Sequence, residues 1–215
     1  MQAHLFGEPD LQPSLSQWHT PPWLARRMAG WVPRGARVLE PSCGGGALIE
    51  GLLRAGHKRE LVMGVELDLD WADYCREFGV AIYGGDFFER HAQLAVERFA
   101  PNVVLMNPPF EDNGHLRFVL HALDIAPFVI GVFPASFEFS RERDRELWAT
   151  RGMVTRRARM PDRVDYGGHT SGMSDTVVLQ VERRRKPRLP GEVRQVEEEV
   201  WSPHDVQRPE EERDA

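Results

Sequence analysis

Apolar positions along the chain alternate between a helical period and short strand-like runs. Leu24, Met28 and Trp31 stand at i, i+4 and i+7 and predict a first helix. Thr20 is placed to cap it, a proline fills its first position, and Gly30 and Pro33 end it. Strands are predicted at Arg37–Leu39, Leu61–Val65, Val80–Tyr83, Val103–Met106, Phe128–Phe133 and Thr176–Val181. Helices separate them: Ala47–Arg54, Asp70–Phe78 with Asp70 as its cap, Phe88–Phe99, a segment marked by Leu116, Val119, Leu120 and Leu123, and a charged one at Arg141–Thr150. Strand and helix alternating in this way predict an α/β fold, a parallel sheet with helices on both faces. Ligands of such sheets bind beyond the carboxyl ends of the strands, which directs attention to the residues after Leu39, Val65, Tyr83 and Met106.

Length and composition refine this picture. The 215 residues, 41% hydrophobic and 28% charged, suit one globular domain with appendages and exclude a fibrous or wholly disordered chain. Two cysteines, Cys43 and Cys75, form no disulfide framework, and no Cys/His spacing suits zinc, so no metal is expected. The opening MQAHLFGEPDLQ lacks the features of a signal peptide, and no apolar run reaches membrane-spanning length. These observations predict a cytoplasmic protein without a membrane partner. The net charge of −6 is unevenly spread: residues 1–140 hold 11 Lys/Arg against 17 Asp/Glu, residues 141–191 hold 13 against 7, and residues 192–215 hold 3 against 9. A basic block between acidic ones keeps nucleic acid in view as a partner. The last acidic stretch lacks apolar periodicity and reads as a mobile tail.

The predicted strand ends carry the candidate chemistry. After the first comes Glu40-Pro41-Ser42-Cys43-Gly44-Gly45-Gly46, a glycine turn opening a helix. Such a turn lets a ligand approach the backbone, or is merely a tight connection. G-x-G-x-x-G fails at Ile49, and no Lys-Ser/Thr pair makes a P-loop. Glu66 ends the second strand, where an acid accepts the hydroxyls of a ribose. Asp86 follows the third strand beside Phe87, suited to an adenine amino group or equally to a helix cap. After the fourth strand stands Asn107-Pro108-Pro109-Phe110, which combines rigid carbonyl acceptors, a carboxamide oxygen and a flat ring. That set suits a planar substrate bearing an exocyclic amino group.

From Trp18 to Val181 the chain resembles the class I S-adenosylmethionine (SAM)-dependent methyltransferases, specifically the N6-adenine DNA methyltransferase type. The resemblance implies a Rossmann-like, seven-stranded, mostly parallel sheet whose last, antiparallel strand is Thr176–Val181. It implies SAM as cofactor, with S-adenosylhomocysteine as product, held by Glu40, Pro41, Ser42, Gly44, Gly46, Glu66, Leu67, Asp86 and Phe87. Thr20 and Pro21 resemble the family's N-terminal element that contacts the methionine end of the cofactor. Asn107, Pro108, Pro109 and Phe110 match its catalytic motif, in which the amino group of a flipped adenine is methylated.

The resemblance implies domain bounds of an arm at 1–17, a methyltransferase domain at 18–186 with a substrate loop near 160–174, and an acidic tail at 187–215. DNA is the expected partner and RNA the second choice, gripped by Arg156, Arg157, Arg159, Arg163 and His169. The alternative to phosphate contact is a charged surface neutralised by Glu142, Asp144 and Glu146. No separate target-recognition domain fits within the chain, which leaves that task to a partner subunit. Protein glutamine methyltransferases share a similar motif, so rRNA bases and glutamine side chains are alternative acceptors. A silent methyltransferase fold acting as a binding subunit is the alternative from another class.

Overall fold

A computed structural model describes residues 19–109, 114–166, 173–193 and 195–203. Helix α1 (Pro22–Gly30) leads into β1 (Val38–Glu40), α2 (Ala47–Arg54), β2 (Val62–Glu66), α3 (Leu69–Arg76) and β3 (Ala81–Gly84). There follow α4 (Arg90–Phe99), β4 (Val103–Met106), α5 (Gly114–Ile125) and β5 (Phe128–Pro134). A short α6 (Arg141–Arg143) continues as a π-turn at Asp144–Trp148. The chain ends its described part with β6 (Gly152–Arg159), β7 (Val164–Asp165), β8 (Met173–Ser174), β9 (Thr176–Arg183) and β10 (Glu197–Val200).

Eight strands form one sheet in the order β10-β6-β9-β5-β4-β1-β2-β3, and β7 pairs with β8 separately. The run from β3 to β5 is parallel, whereas β9 is antiparallel to both of its neighbours, β5 and β6. This is the Rossmann-like α/β arrangement expected, with one strand more than seven. Side chains alternate across the sheet as a pleat requires. Val38, Leu105 and Val132 enter one apolar layer with Leu24, Leu48 and Ile49. Leu39, Val104 and Phe133 enter the opposite layer with Val96, Phe118 and Val119. Burial on both faces explains the near-continuous apolar strands.

Several local expectations change. Pro21, not Thr20, is the N-cap of α1 and makes no side-chain cap. Asp68, not Asp70, caps α3, its carboxylate accepting from the N–H groups of Asp70 and Trp71. The acidic segment after residue 186 is not a solvated tail throughout. Glu197–Val200 pairs in parallel with Arg156–Arg159, and Trp201 beyond it is 2% exposed, its ring 4.7 Å from that of Trp31. The physical reason is charge and anchoring together. Glu199 accepts from the indole N–H groups of both Trp31, at 3.1 Å, and Trp201, at 2.6 Å. Its neighbours Glu197 and Glu198 face the arginines of β6.

Candidate functional site

The glycine turn is shaped by two residues that require left-handed backbone. Gly46 (φ 75°) stands at the N-cap of α2, and a Cβ there would come within 2.8 Å of the Phe78 ring. Gly44 (φ 46°) faces open space, with nothing within 4 Å of where a Cβ would stand. Its N–H donates to Glu66 Oε2 at 2.6 Å, and the other Glu66 oxygen accepts from the Asp68 N–H at 3.0 Å. One carboxylate at the end of β2 therefore holds both the glycine turn and the start of α3. From below, the Cys75 thiol donates to the Gly44 carbonyl at 3.1 Å. A hydrogen bond with Cys75 and burial push the Cys43 thiol well above its ordinary range. Cys43 is thus a poor nucleophile at neutral pH.

Above this turn lies a cavity of about 580 Å³, within the range of small-molecule sites. It opens at the carboxyl ends of the parallel strands. Glu40, Pro41, Ser42 and Gly44 line it from β1, and Glu66 and Leu67 from β2. Asp86 and Phe87 enter after β3, and Asn107, Pro108 and Pro109 after β4. Asp86 also accepts from the Phe88 N–H at 2.8 Å, so it shapes its own turn while bordering the cavity. Glu40 is 3% exposed, and burial, the nearby Cys75 and then Glu66 raise its carboxyl well above the usual carboxylate range.

These residues fit SAM as a cofactor. Among the described residues, Glu40 Oε2 and Ser42 Oγ are buried polar atoms without a hydrogen-bond partner, and both belong to cavity-lining side chains. An acid beside this space suits a ligand carrying ammonium and sulfonium charges, Glu66 suits ribose hydroxyls, and Asp86 with Phe87 suits an adenine ring.

Thr20 and Asn107 meet at the cavity wall. The Asn107 Nδ2 group donates to Thr20 Oγ1 at 3.1 Å, across 87 positions of sequence, and Thr20 is buried. Thus Thr20 joins the site through a side-chain bond rather than by capping α1. Phe110 and His169 lie outside the described residues. Pro21 and Gly46 do not border the cavity.

The arginines expected to grip phosphates are elsewhere and already engaged. Arg156 pairs with Glu197 at 3.0 Å and Glu199 at 2.7 Å, and its guanidinium carbon lies 4.8 Å from the centroid of the Trp31 ring. Arg157 pairs with Glu138 at 2.6 Å and also with Glu198. Arg159 lies 3.8 Å from Glu198, and Arg163 pairs with Asp175 at 3.3 Å. Their partners are therefore not the Glu142, Asp144 and Glu146 expected. Asp144 instead holds Arg188 at 2.8 Å.

Sequence reasoning missed His19, Phe88, Arg117 and Phe118, all of which border the cavity. Arg117 lies with its guanidinium carbon 3.6 Å from the centroid of the Phe88 ring. Phe88 adjoins the Asp86-Phe87 pair and was within reach of a motif argument, whereas Arg117 carries no local signal. Among the described residues no cluster of His, Cys, Asp and Glu is arranged to hold a metal. No described helix is long and apolar enough to cross a membrane.

This sheet order, with its cavity beyond the parallel strands, defines the class I SAM-dependent methyltransferase fold. Solved structures agree on it. A protein of Pyrococcus horikoshii described as a candidate RNA methyltransferase superposes with a TM-score of 0.61 at 24% identity, covering 80% of this chain and 91% of that one. A class I methyltransferase candidate of Listeria monocytogenes gives 0.62 at 14% identity, covering 88% and 67%. The M protein of the type I restriction enzyme EcoKI gives 0.57 at 16% identity, covering 78% of this chain but 44% of that one. Likeness at these identities speaks for the fold.

Within that fold the chain belongs to the family described as methionine biosynthesis protein MetW, whose model matches residues 25–167. No curated protein matches the chain. The matching family is therefore described by methionine biosynthesis and not by adenine methylation.

Proposed function

We propose that the protein is a SAM-dependent N-methyltransferase whose acceptor is the N6 amino group of adenine, in DNA. The observation carrying this reading is that Asn107 and Pro108 border the same cavity as Glu66 and Asp86. An acceptor for amino hydrogens thereby adjoins residues suited to an adenosine-containing cofactor. Bound there, SAM supplies an electrophilic methyl group on a sulfonium.

The lone pair of an adenine amino group is delocalised into its ring. Hydrogen bonds from its two N–H groups to Asn107 Oδ1 and the Pro108 carbonyl draw the nitrogen toward tetrahedral geometry and aim the lone pair. The contribution is positioning and electrostatic stabilisation. A target within a duplex must first be flipped out, at a cost of a few kcal/mol, partly offset by stacking on the Phe110 ring. Similarity of fold to the EcoKI M protein and to the Pyrococcus protein is compatible with a nucleic-acid acceptor.

One observation favours a second reading, the same transfer to a glutamine carboxamide in a protein. The ion pairs of Arg156 and Arg157 with Glu138 and β10 engage two of the four arginines that spoke for phosphate binding. A methyl-transfer assay with radiolabelled SAM, offering DNA, RNA and protein in parallel, tests both. Label in DNA as N6-methyladenine is expected, and label in protein alone overturns the adenine reading.

A further inference from the structure

The cavity is bordered by the carboxylates of Glu40, Glu66, Asp68 and Asp86, and by Arg117 on α5 as the only lysine or arginine among the described residues. Such a cation would ordinarily pair with one of those acids. Among the described residues Arg117 instead makes no ion pair and no hydrogen bond, and its contact is with an aromatic ring. The guanidinium carbon stands 3.6 Å from the centroid of Phe88. At that separation the guanidinium lies close to parallel with the ring, because one standing on edge would drive a nitrogen into it.

Phe88 is a fixed platform. Its N–H donates to Asp86 Oδ1 at 2.8 Å, and its carbonyl accepts from Gln93 Nε2 at 2.9 Å. Its ring meets Phe118 edge to face at 4.9 Å and lies 5.2 Å from the ring of Phe87. Arg117 is fixed from the other side, between Leu116 and Phe118, both buried in the packing of α5. A guanidinium has two faces. Phe88 covers one face of Arg117, no described ring covers the other, and Arg117 is an exposed residue bordering the cavity.

We propose that Arg117 is a binding residue for the cofactor's adenine: stacked on Phe88, it offers the second face of its guanidinium to the ring that Asp86 and Phe87 receive. The inference rests on the reading that puts the adenosine end of SAM beside those two residues, and it accounts for an arginine that pairs with none of four bordering acids. A guanidinium is planar and weakly hydrated, so covering its second face costs little desolvation, and Phe88 has already fixed its orientation. Adenine is uncharged, so the contact is one of flat surfaces, a cation on a π-face, rather than of opposite charges. Lysine carries the same charge without the flat surface.

The test compares Arg117→Ala with Arg117→Lys by calorimetric titration with S-adenosylhomocysteine, which carries the adenine and no sulfonium. Arg117→Ala is expected to bind it roughly 5- to 30-fold more weakly than wild type, the loss of one desolvated cation–π contact. Arg117→Lys should stay at least threefold weaker than wild type. Either variant binding within threefold of wild type overturns the proposal, the lysine variant because charge alone would then suffice.

A second readout locates the contact. The Arg117 Nε–H signal, assigned by NMR through its loss in Arg117→Lys, should move upfield as S-adenosylhomocysteine saturates the protein, since the proton comes to lie over the face of the adenine. A signal that stays in place, or that moves only when a DNA oligonucleotide is added, overturns the proposal, and the latter result assigns Arg117 to the acceptor. If the wild-type protein binds neither SAM nor S-adenosylhomocysteine, the cofactor reading fails and this proposal falls with it. Wild-type binding with an unmoved Arg117 signal removes this proposal alone and leaves that reading standing.

Discussion

Replacing Glu66 by glutamine tests the centre of the site with almost no change of volume. In the wild-type protein the two carboxylate oxygens accept from different backbone donors, Gly44 N–H at 2.6 Å and Asp68 N–H at 3.0 Å. A glutamine has one acceptor oxygen, so one of these donors must face the new NH2 group. The loss is one charge-assisted hydrogen bond, about 1.5–3 kcal/mol, together with a partly buried N–H left unsatisfied, about 1–3 kcal/mol. Local rearrangement and water recover part of this, leaving about 2–4 kcal/mol against the glycine turn in its binding-competent form. At 1.4 kcal/mol per factor of ten, SAM affinity should fall roughly 30- to 700-fold. Isothermal titration calorimetry with SAM and S-adenosylhomocysteine measures it, and urea unfolding of the same variant separates local from global effects. A dissociation constant within threefold of wild type, with the unfolding midpoint unmoved, would refute the assignment of Glu66 to the cofactor site.

Asn107→Ala should abolish methyl transfer while SAM affinity, measured by calorimetry, stays within a few-fold, because its oxygen serves the acceptor. Glu40 has its carboxyl raised by burial, Cys75 and Glu66, so the folded state binds more protons than the unfolded one between the ordinary and the raised value. Its contribution to stability is therefore greatest at low pH and is lost as pH rises toward the raised value. Glu40→Gln should flatten that slope in urea melts taken from pH 5 to 8, and an unchanged slope would count against the burial argument. Trp201→Ala should destabilise the fold by about 3–5 kcal/mol in chemical denaturation, since it empties a site only 2% exposed. Arg156→Ala with Arg157→Ala should change the log–log salt slope of DNA binding, read by fluorescence anisotropy, by less than the roughly 0.9 expected for one phosphate contact. A larger change would show these side chains leaving Glu197–Glu199 for nucleic acid.

The parallel half of the sheet was legible because its strands are buried on both faces and its helices carry one apolar side. Val103–Met106 and Ala47–Arg54 coincide with the predicted segments for that reason. The placement of Glu66, Asp86 and Asn107 was legible too, since each follows a strand that a parallel sheet brings to the same end. Strand β6 was not, because Thr155, Arg156 and Arg157 break any apolar alternation and gain their partners from β9, β10 and Glu138, all distant in sequence. Three consecutive glutamates likewise read as solvated until arginines some 40 positions earlier face them. The bond between Thr20 and Asn107 lies beyond any local pattern, since only the packing of α1 brings the two together.

The seating of Trp201 against Trp31 bears on how the chain matures during synthesis. The indole N–H of Trp31 waits for a carboxylate 168 residues further along. At about 5–20 residues per second, a ribosome needs roughly 8–34 s to add that much chain. For the last part of that interval, the 41 positions from Arg156 to Glu197 or roughly 2–8 s of synthesis, β6 has a bare edge, and its arginines face solvent instead of Glu197–Glu199. A nascent chain in this state is open to strand pairing with a neighbour along that edge. Closure of β10 then covers that edge late in translation and leaves at the rim a strand of consecutive glutamates, whose charge discourages pairing with a neighbour.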